Sequence, residues 1–241
     1  MTCDGTGEAF IDFARFKVPG AIIWHPDAVF PDGKRVMVMS HHFMASISKT
    51  VPFNQTVSAR VWIYDLSSDH LTPLDVYGQY ECRCVNNVAL FPDGRRLLAG
   101  LSIGNDVIWV AMDIDGGNPK PITRPGDGFS HTPHFSPDGK RLVTEFYCGN
   151  PGTRIVVMDT GGGNRLMFPG RSGDYHFQPV WSPDGEWIAY VNYRHAEDPG
   201  HDRADICIAR PDSTRQHFVT RDRPFWLSAV YGGTDTYGSG S

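Results

Sequence analysis

Helical periodicity is missing from this chain. No window of its 241 residues repeats apolar positions every 3.6 residues, so helix content is expected to be small. Long apolar runs are missing too. None approaches the roughly 20 residues needed to cross a bilayer, and the opening MTCDGTGEAF lacks the basic and apolar stretches of a signal peptide. No membrane span is therefore expected, and the choice between periplasm and cytoplasm stays open. Basic charge is not in excess: 22 Lys and Arg stand against 27 Asp and Glu, for a net charge of −5, with no basic stripe. This removes the electrostatic footprint of a nucleic-acid partner. The five cysteines, at positions 3, 82, 84, 148 and 207, form neither an even disulfide framework nor a metal-ligand spacing, and read as single thiols. A Gly-x-Ser-x-Gly elbow is absent, which excludes a serine hydrolase of that type, and no Walker or dinucleotide glycine motif occurs. No catalytic residue is assigned.

What the chain does have is one phrase used four times: Phe30-Pro31-Asp32-Gly33, Phe91-Pro92-Asp93-Gly94, Ser136-Pro137-Asp138-Gly139 and Ser182-Pro183-Asp184-Gly185. Pro presets φ for the second position of a type I turn, Asp suits the third, and Gly relieves the positive φ of the last. An apolar β-type run follows each copy, so the phrase reads as a tight hairpin. The prolines are 61, 45 and 46 residues apart, and four strands with their turns occupy about 40–50 residues, the size of a propeller blade. The expected fold is all-β, a β-propeller with four recognisable four-stranded blades at about 21–80, 81–125, 126–170 and 171–222. Residues 9–19 read as the outer strand of a neighbouring blade, and 223–241 as the lead-in to a further one. These ends make an arc of a larger, six- to eight-bladed propeller the expected architecture.

The phrase resembles the repeat of TolB-type β-propellers, and the resemblance covers roughly residues 18 to 220. Similar repeats occur in oligogalacturonate lyases and in the propeller domains of prolyl-oligopeptidase-type peptidases. The motif implies the fold and leaves the function to be argued from the site.

Blade order supplies a map. In a propeller the A-to-B and C-to-D turns emerge at one end, here the Pro-Asp-Gly end. The D-to-A and B-to-C loops emerge at the other. Eight of the ten histidines (His25, His41, His42, His131, His134, His176, His195 and His201) fall toward that loop end. Aligned on Pro-Asp-Gly, His25, Asn86, His131 and Phe177 share one column; Pro26, Asn87, Thr132 and Gln178 share the next. Imidazoles with a carboxamide suit a divalent ion such as Mn, Zn, Ni or Fe. The resemblance to oligogalacturonate lyases implies His131, His176 and Gln178 as candidate metal ligands, with His25 as a fourth. Lys49, Arg194 and Arg203 are candidates to clamp a carboxylate or sulfate, and Tyr193 and Trp226 to stack on sugar faces. Two functions follow as expectations. One is a TolB-like module binding a protein or glycan partner on the loop end. The alternative is a metal-dependent lyase acting on acidic oligosaccharides.

Overall fold

The computed structural model describes residues 11–19, 21–42, 58–76, 85–103, 106–128, 131–148, 152–171, 173–194 and 203–221. They form four separate four-stranded antiparallel sheets, each with its strands in chain order. The first contains β1 (Ala21–Val29), β2 (Arg35–His42), β3 (Ser58–Asp65) and β4 (His70–Leu74); the second β5 (Val85–Leu90), β6 (Arg96–Ile103), β7 (Asp106–Asp113) and β8 (Lys120–Pro121). The third contains β9 (His134–Phe135), β10 (Arg141–Tyr147), β11 (Thr153–Asp159) and β12 (Leu166–Met167); the fourth β13 (Asp174–Trp181), β14 (Ile188–Arg194), β15 (Arg203–Ala209) and β16 (His217–Phe218). The first strands of successive sheets touch one another, which makes them the inner strands of four propeller blades.

The four Pro-Asp-Gly turns are the same object. The Gly N–H donates to the carbonyl of the residue before Pro at 2.8–2.9 Å in every copy, with Gly φ between 65° and 71°. The Asp Oδ1 accepts the N–H two residues on, from Lys34, Arg95, Lys140 and Glu186. The Phe-for-Ser exchange in the first two copies therefore does not shift the register. It changes how the turn is braced. Phe30 and Phe91 are buried under the Arg35 and Arg96 guanidinium groups, which also bond Asp32 and Asp93. Ser136 and Ser182 instead donate their hydroxyls to Asp138 and Asp184.

These turns also set the blade-to-blade contact. A Cβ on Gly94 would lie 3.0 Å from Pro31, and one on Gly139 or Gly185 would lie 3.5 Å from Pro92 or Pro137. Each turn thus nests on the proline of the blade before it. Gly33 has open space at this position. Apolar side chains fill the three inter-blade layers: Met37, Met39 and Val61 with Val85, Leu97 and Leu101; Leu98 and Trp109 with Phe135 and Leu142; Ile155 and Phe168 with Trp181, Ile188 and Tyr190. Burying each such side chain contributes about 1.5–3 kcal/mol.

The segment read as an outer strand differs from expectation. Residues Phe13–Phe16 form a 3-10 turn, N-capped by Asp12, whose carboxylate accepts the Ala14 N–H at 2.9 Å. Two aromatics three positions apart share one face of such a turn, whereas a strand would set them on opposite faces. Phe13 stacks on Trp24 with centroids 5.1 Å apart and meets Tyr64 edge-on, as does Phe16. The turn packs on the face of the first blade that has no other blade beside it among the described residues.

Candidate functional site

Inner strands enter from the loop end through a repeated irregularity. Register shifts interrupt β1 between Pro26 and Ala28, β5 between Val85 and Asn87, and β13 between Phe177 and Val180. In the column shared by Thr132 and Gln178 the backbone turns left-handed, with φ of 50° and 52°. A β-branched residue at positive φ is strained, by about 1–3 kcal/mol, and persists where its surroundings hold it. Glu145, only 1% exposed, does the holding. Its Oε1 accepts the Thr132 hydroxyl at 2.6 Å and the Gln178 backbone N–H at 2.8 Å. One buried carboxylate thereby pins the same kink in two adjacent blades.

That kink decides where the expected metal ligands go. His131 is exposed, and its Nδ1 lies 3.0 Å from the Asn87 carboxamide nitrogen. His176 is 0% exposed and packs on the Tyr190 ring at 4.9 Å between centroids. Neither of its ring nitrogens has a partner, and neither does Oδ1 of Asn192 directly opposite. Burial, with the Arg154 charge nearby, pushes its pKa down to about 4. The bulge after Phe177 breaks the strand alternation that would have aimed His176 and Gln178 the same way. His176 is thus closed off from solvent, whereas His131 is exposed and Gln178 is half-buried. Among the described residues no group of three or more His, Cys, Asp or Glu side chains could hold a metal ion.

Tyr193 is also corrected. It is 4% exposed, packed against Tyr175 and Phe177, and offers no open ring face to a sugar. Arg203 is exposed at the start of β15. Lys49 and Trp226 lie outside the described residues.

Arg194 has a setting that its position in the chain did not reveal. It lines a cavity of about 280 Å³ with Arg171, Arg221, Asp205 and Phe218. These residues come from the D-to-A link into the fourth blade, the end of its second strand, the start of its third, and the last strand with its exit, all at the loop end. Arg194 Nη2 donates to Asp205 Oδ2 at 2.9 Å, and the Thr220 hydroxyl lies 3.3 Å from Asp205 Oδ1. Asp205 is 1% exposed, so this pair is buried on the acidic side. It neutralises one of the three arginines. Arg171 and Arg221 have no ion-pair partner among the described residues. The Arg171 backbone is held in place: its carbonyl accepts from the buried Arg154 guanidinium at 2.7 Å, and its N–H donates to Asp174 Oδ2 at 3.0 Å. Two guanidinium groups without a carboxylate among the described residues, beside an aromatic ring, suit an anion carried on an amphipathic body. The corresponding elements of the third blade enclose about 370 Å³ lined by Gly126, Asp127, Phe146, Val156, Arg165 and Met167. Its single arginine is paired with Asp127 at 2.9 Å.

A second polar group sits at the loop end of the first blade. His25 Nε2 and His41 Nε2 are 2.6 Å apart, and His25 Nδ1 lies 3.4 Å from Asp27 Oδ1. The Asp27 carboxylate raises the His25 pKa, and burial raises that of Asp27. Asp27 Oδ2 is buried without a partner.

No family model matches the chain. An uncharacterized protein of Agrobacterium fabrum is 36% identical over 115 residues, covering 42% of this chain and 38% of that protein. Among solved structures, a TolB from Agrobacterium tumefaciens superposes with a TM-score of 0.61 at 18% identity, over 82% of this chain and 62% of its own. An oligogalacturonate lyase in complex with manganese superposes with a TM-score of 0.56 at 16% identity, over 82% of this chain and 53% of its own. The chain is a β-propeller with TolB-like and oligogalacturonate-lyase-like structural neighbours. It spans less than two thirds of the length of each, and likenesses at these identities establish the fold.

Proposed function

We propose that the chain is a TolB-like propeller module that binds a carboxylate-bearing glycan at the loop end of its fourth blade. The observation that carries this reading is the Arg171–Arg194–Arg221 cavity, in which Asp205 pairs Arg194 and, among the described residues, Arg171 and Arg221 have no carboxylate partner. Its volume suits a sugar ring with its acid group, and Phe218 supplies an apolar wall beside the charges. Binding is favoured over lysis because the metal ligands implied by the lyase resemblance are split between an exposed and a buried position. The test is calorimetric titration with trigalacturonate, with neutral maltotriose as control and an acidic peptide as competitor. Wild type takes up trigalacturonate with an affinity that falls as salt rises, and the Arg171→Ala/Arg221→Ala double variant binds at least tenfold more weakly, as loss of one charge-assisted contact implies. Equal binding by the double variant, or preference for the peptide or the neutral sugar, overturns the reading.

A further inference from the structure

The Asp27–His25–His41 group lies in the first blade, away from the arginine cavity, and neither binding at that cavity nor the packing of the blade accounts for it. His25 is on the inner strand β1 and His41 near the end of β2. In the ladder His25 faces Met39 and His41 faces Ile23, so the two rings meet on a diagonal. Their planes are tilted by 31° with centroids 4.7 Å apart, and the nitrogens that face each other are both Nε2. On its far side His25 turns Nδ1 toward Asp27, whose side chain is 12% exposed, while the His25 ring itself is 39% exposed.

The chemistry of this order is directional. A carboxylate at Nδ1 holds the proton on that nitrogen, which leaves the Nε2 lone pair of His25 free and fixes the plane of the ring. Metal-binding imidazoles are set in this way, with a carboxylate behind the ligand and the lone pair in front. Here the lone pair points at the same atom of a second imidazole. At 2.6 Å the two nitrogens can share only a hydrogen. An ion at about 2.0–2.1 Å from each would hold them about 3.3 Å apart in tetrahedral geometry. The half-exposed ring leaves a route from solvent.

We infer that His25 Nε2 and His41 Nε2 form a two-imidazole site for a divalent transition metal, with Asp27 as the residue that orients His25 and with the remaining positions open to water or an exogenous donor. Borderline ions suit such a pair, Ni²⁺ and Zn²⁺ before Mn²⁺ or Mg²⁺. The inference does not rest on the glycan reading, and its test uses the metal alone. Tag-free protein is dialysed against Zn²⁺ and, separately, Ni²⁺. Bound metal is counted, and the melting temperature is followed against metal concentration, since a ligand of the folded state raises it. Wild type takes up one equivalent, with a rising melting temperature. His41→Gln loses that equivalent, and Asp27→Asn weakens it by about 10–100-fold, the usual effect of removing such a carboxylate. His131→Ala keeps it. Each metal-free variant is melted first, so that a misfolded protein is recognised, and His25→Gln repeats the test from the other ring. Stoichiometry and affinity that are the same in wild type, His41→Gln and His25→Gln, or no uptake by wild type, show that the two rings share only a proton and overturn the inference.

Discussion

At the Pro-Asp-Gly end of this molecule, four turns repeat the same hydrogen bonds to within a few tenths of an ångström, and three of them nest on the proline of the preceding blade. At the loop end the described residues of three blades carry different side chains. The first has an imidazole pair backed by a carboxylate, the third a cavity whose arginine is paired with Asp127, the fourth a cavity lined by three arginines and Asp205. Constraint explains the contrast. A turn that must supply positive φ, a carboxylate for its own amides and a seat for its neighbour has few acceptable sequences. A loop held by its backbone leaves its side chains free to differ.

Substitutions should separate the two ends by what they damage. The largest effect is expected where turns and blades interlock. A Cβ at Gly162, whose φ is 83°, would lie 1.9 Å from the Ile122 carbonyl oxygen. Gly162→Ala is therefore expected to cost about 4 kcal/mol in urea unfolding, at the upper end for a single substitution. If it unfolds like wild type, the blades do not interlock there.

Arg194→Ala is expected next, at about 3 kcal/mol, because it strands the buried Asp205 carboxylate. Replacing both partners, as Arg194→Met with Asp205→Leu, should recover most of that loss. If it does not, the pair is not what stabilises this corner.

His176 gives a pH-dependent effect of about 2–3 kcal/mol. Its folded-state pKa of about 4 lies below the unfolded value near 6.5. The unfolded chain thus binds more protons between these values, and the stability present above pH 6.5 is lost as pH falls toward 4. His176→Leu should flatten the melting temperature across that window and, by removing two unpartnered nitrogens, be no less stable than wild type at pH 5. An unchanged slope would mean that the ring is not held neutral.

Asp32, Asp93, Asp138 and Asp184 all have pKa values lowered in the fold. Backbone N–H groups lower Asp32, and they lower Asp93 against the opposing effect of its burial; the serine hydroxyls lead at Asp138 and Asp184. Their stabilisation is present above about pH 4 and is lost as pH falls through the folded values. Replacing all four by Asn should therefore make unfolding less steeply dependent on acid below pH 4, and an unchanged acid limb would contradict it. The smallest stability effects belong to Arg171→Ala and Arg221→Ala, within about 0.5 kcal/mol; a larger loss would make them part of the scaffold.

The legibility of the chain follows the same division. Pro-Asp-Gly announced itself because its residues are chosen by backbone geometry, and with it came the blades, the strand order and the two ends. Gln178 shows where such reading stops. Strand alternation put it on one side with His176, but the left-handed kink held by Glu145 lies in a contact 33 residues away that no local pattern carries. Tyr193 read as a sugar platform because it enters a loop, and only the packing of Tyr175 and Phe177 takes its face away. Arg194 was legible as a cation near the loops. Arg171 and Arg221 were not, although each follows the last strand of a blade. Asp27 was passed over because its role depends on a ring two residues earlier and another across the ladder.

Amide hydrogen exchange with and without trigalacturonate tests the division most directly. The account predicts slowed exchange at residues 168–171 and 173–174, at 203–206 and at 217–221, with residues 30–34, 91–95, 136–140 and 182–186 unchanged. Protection centred on the Pro-Asp-Gly turns, or unchanged exchange around Arg171 and Arg221 at saturating ligand, would contradict it.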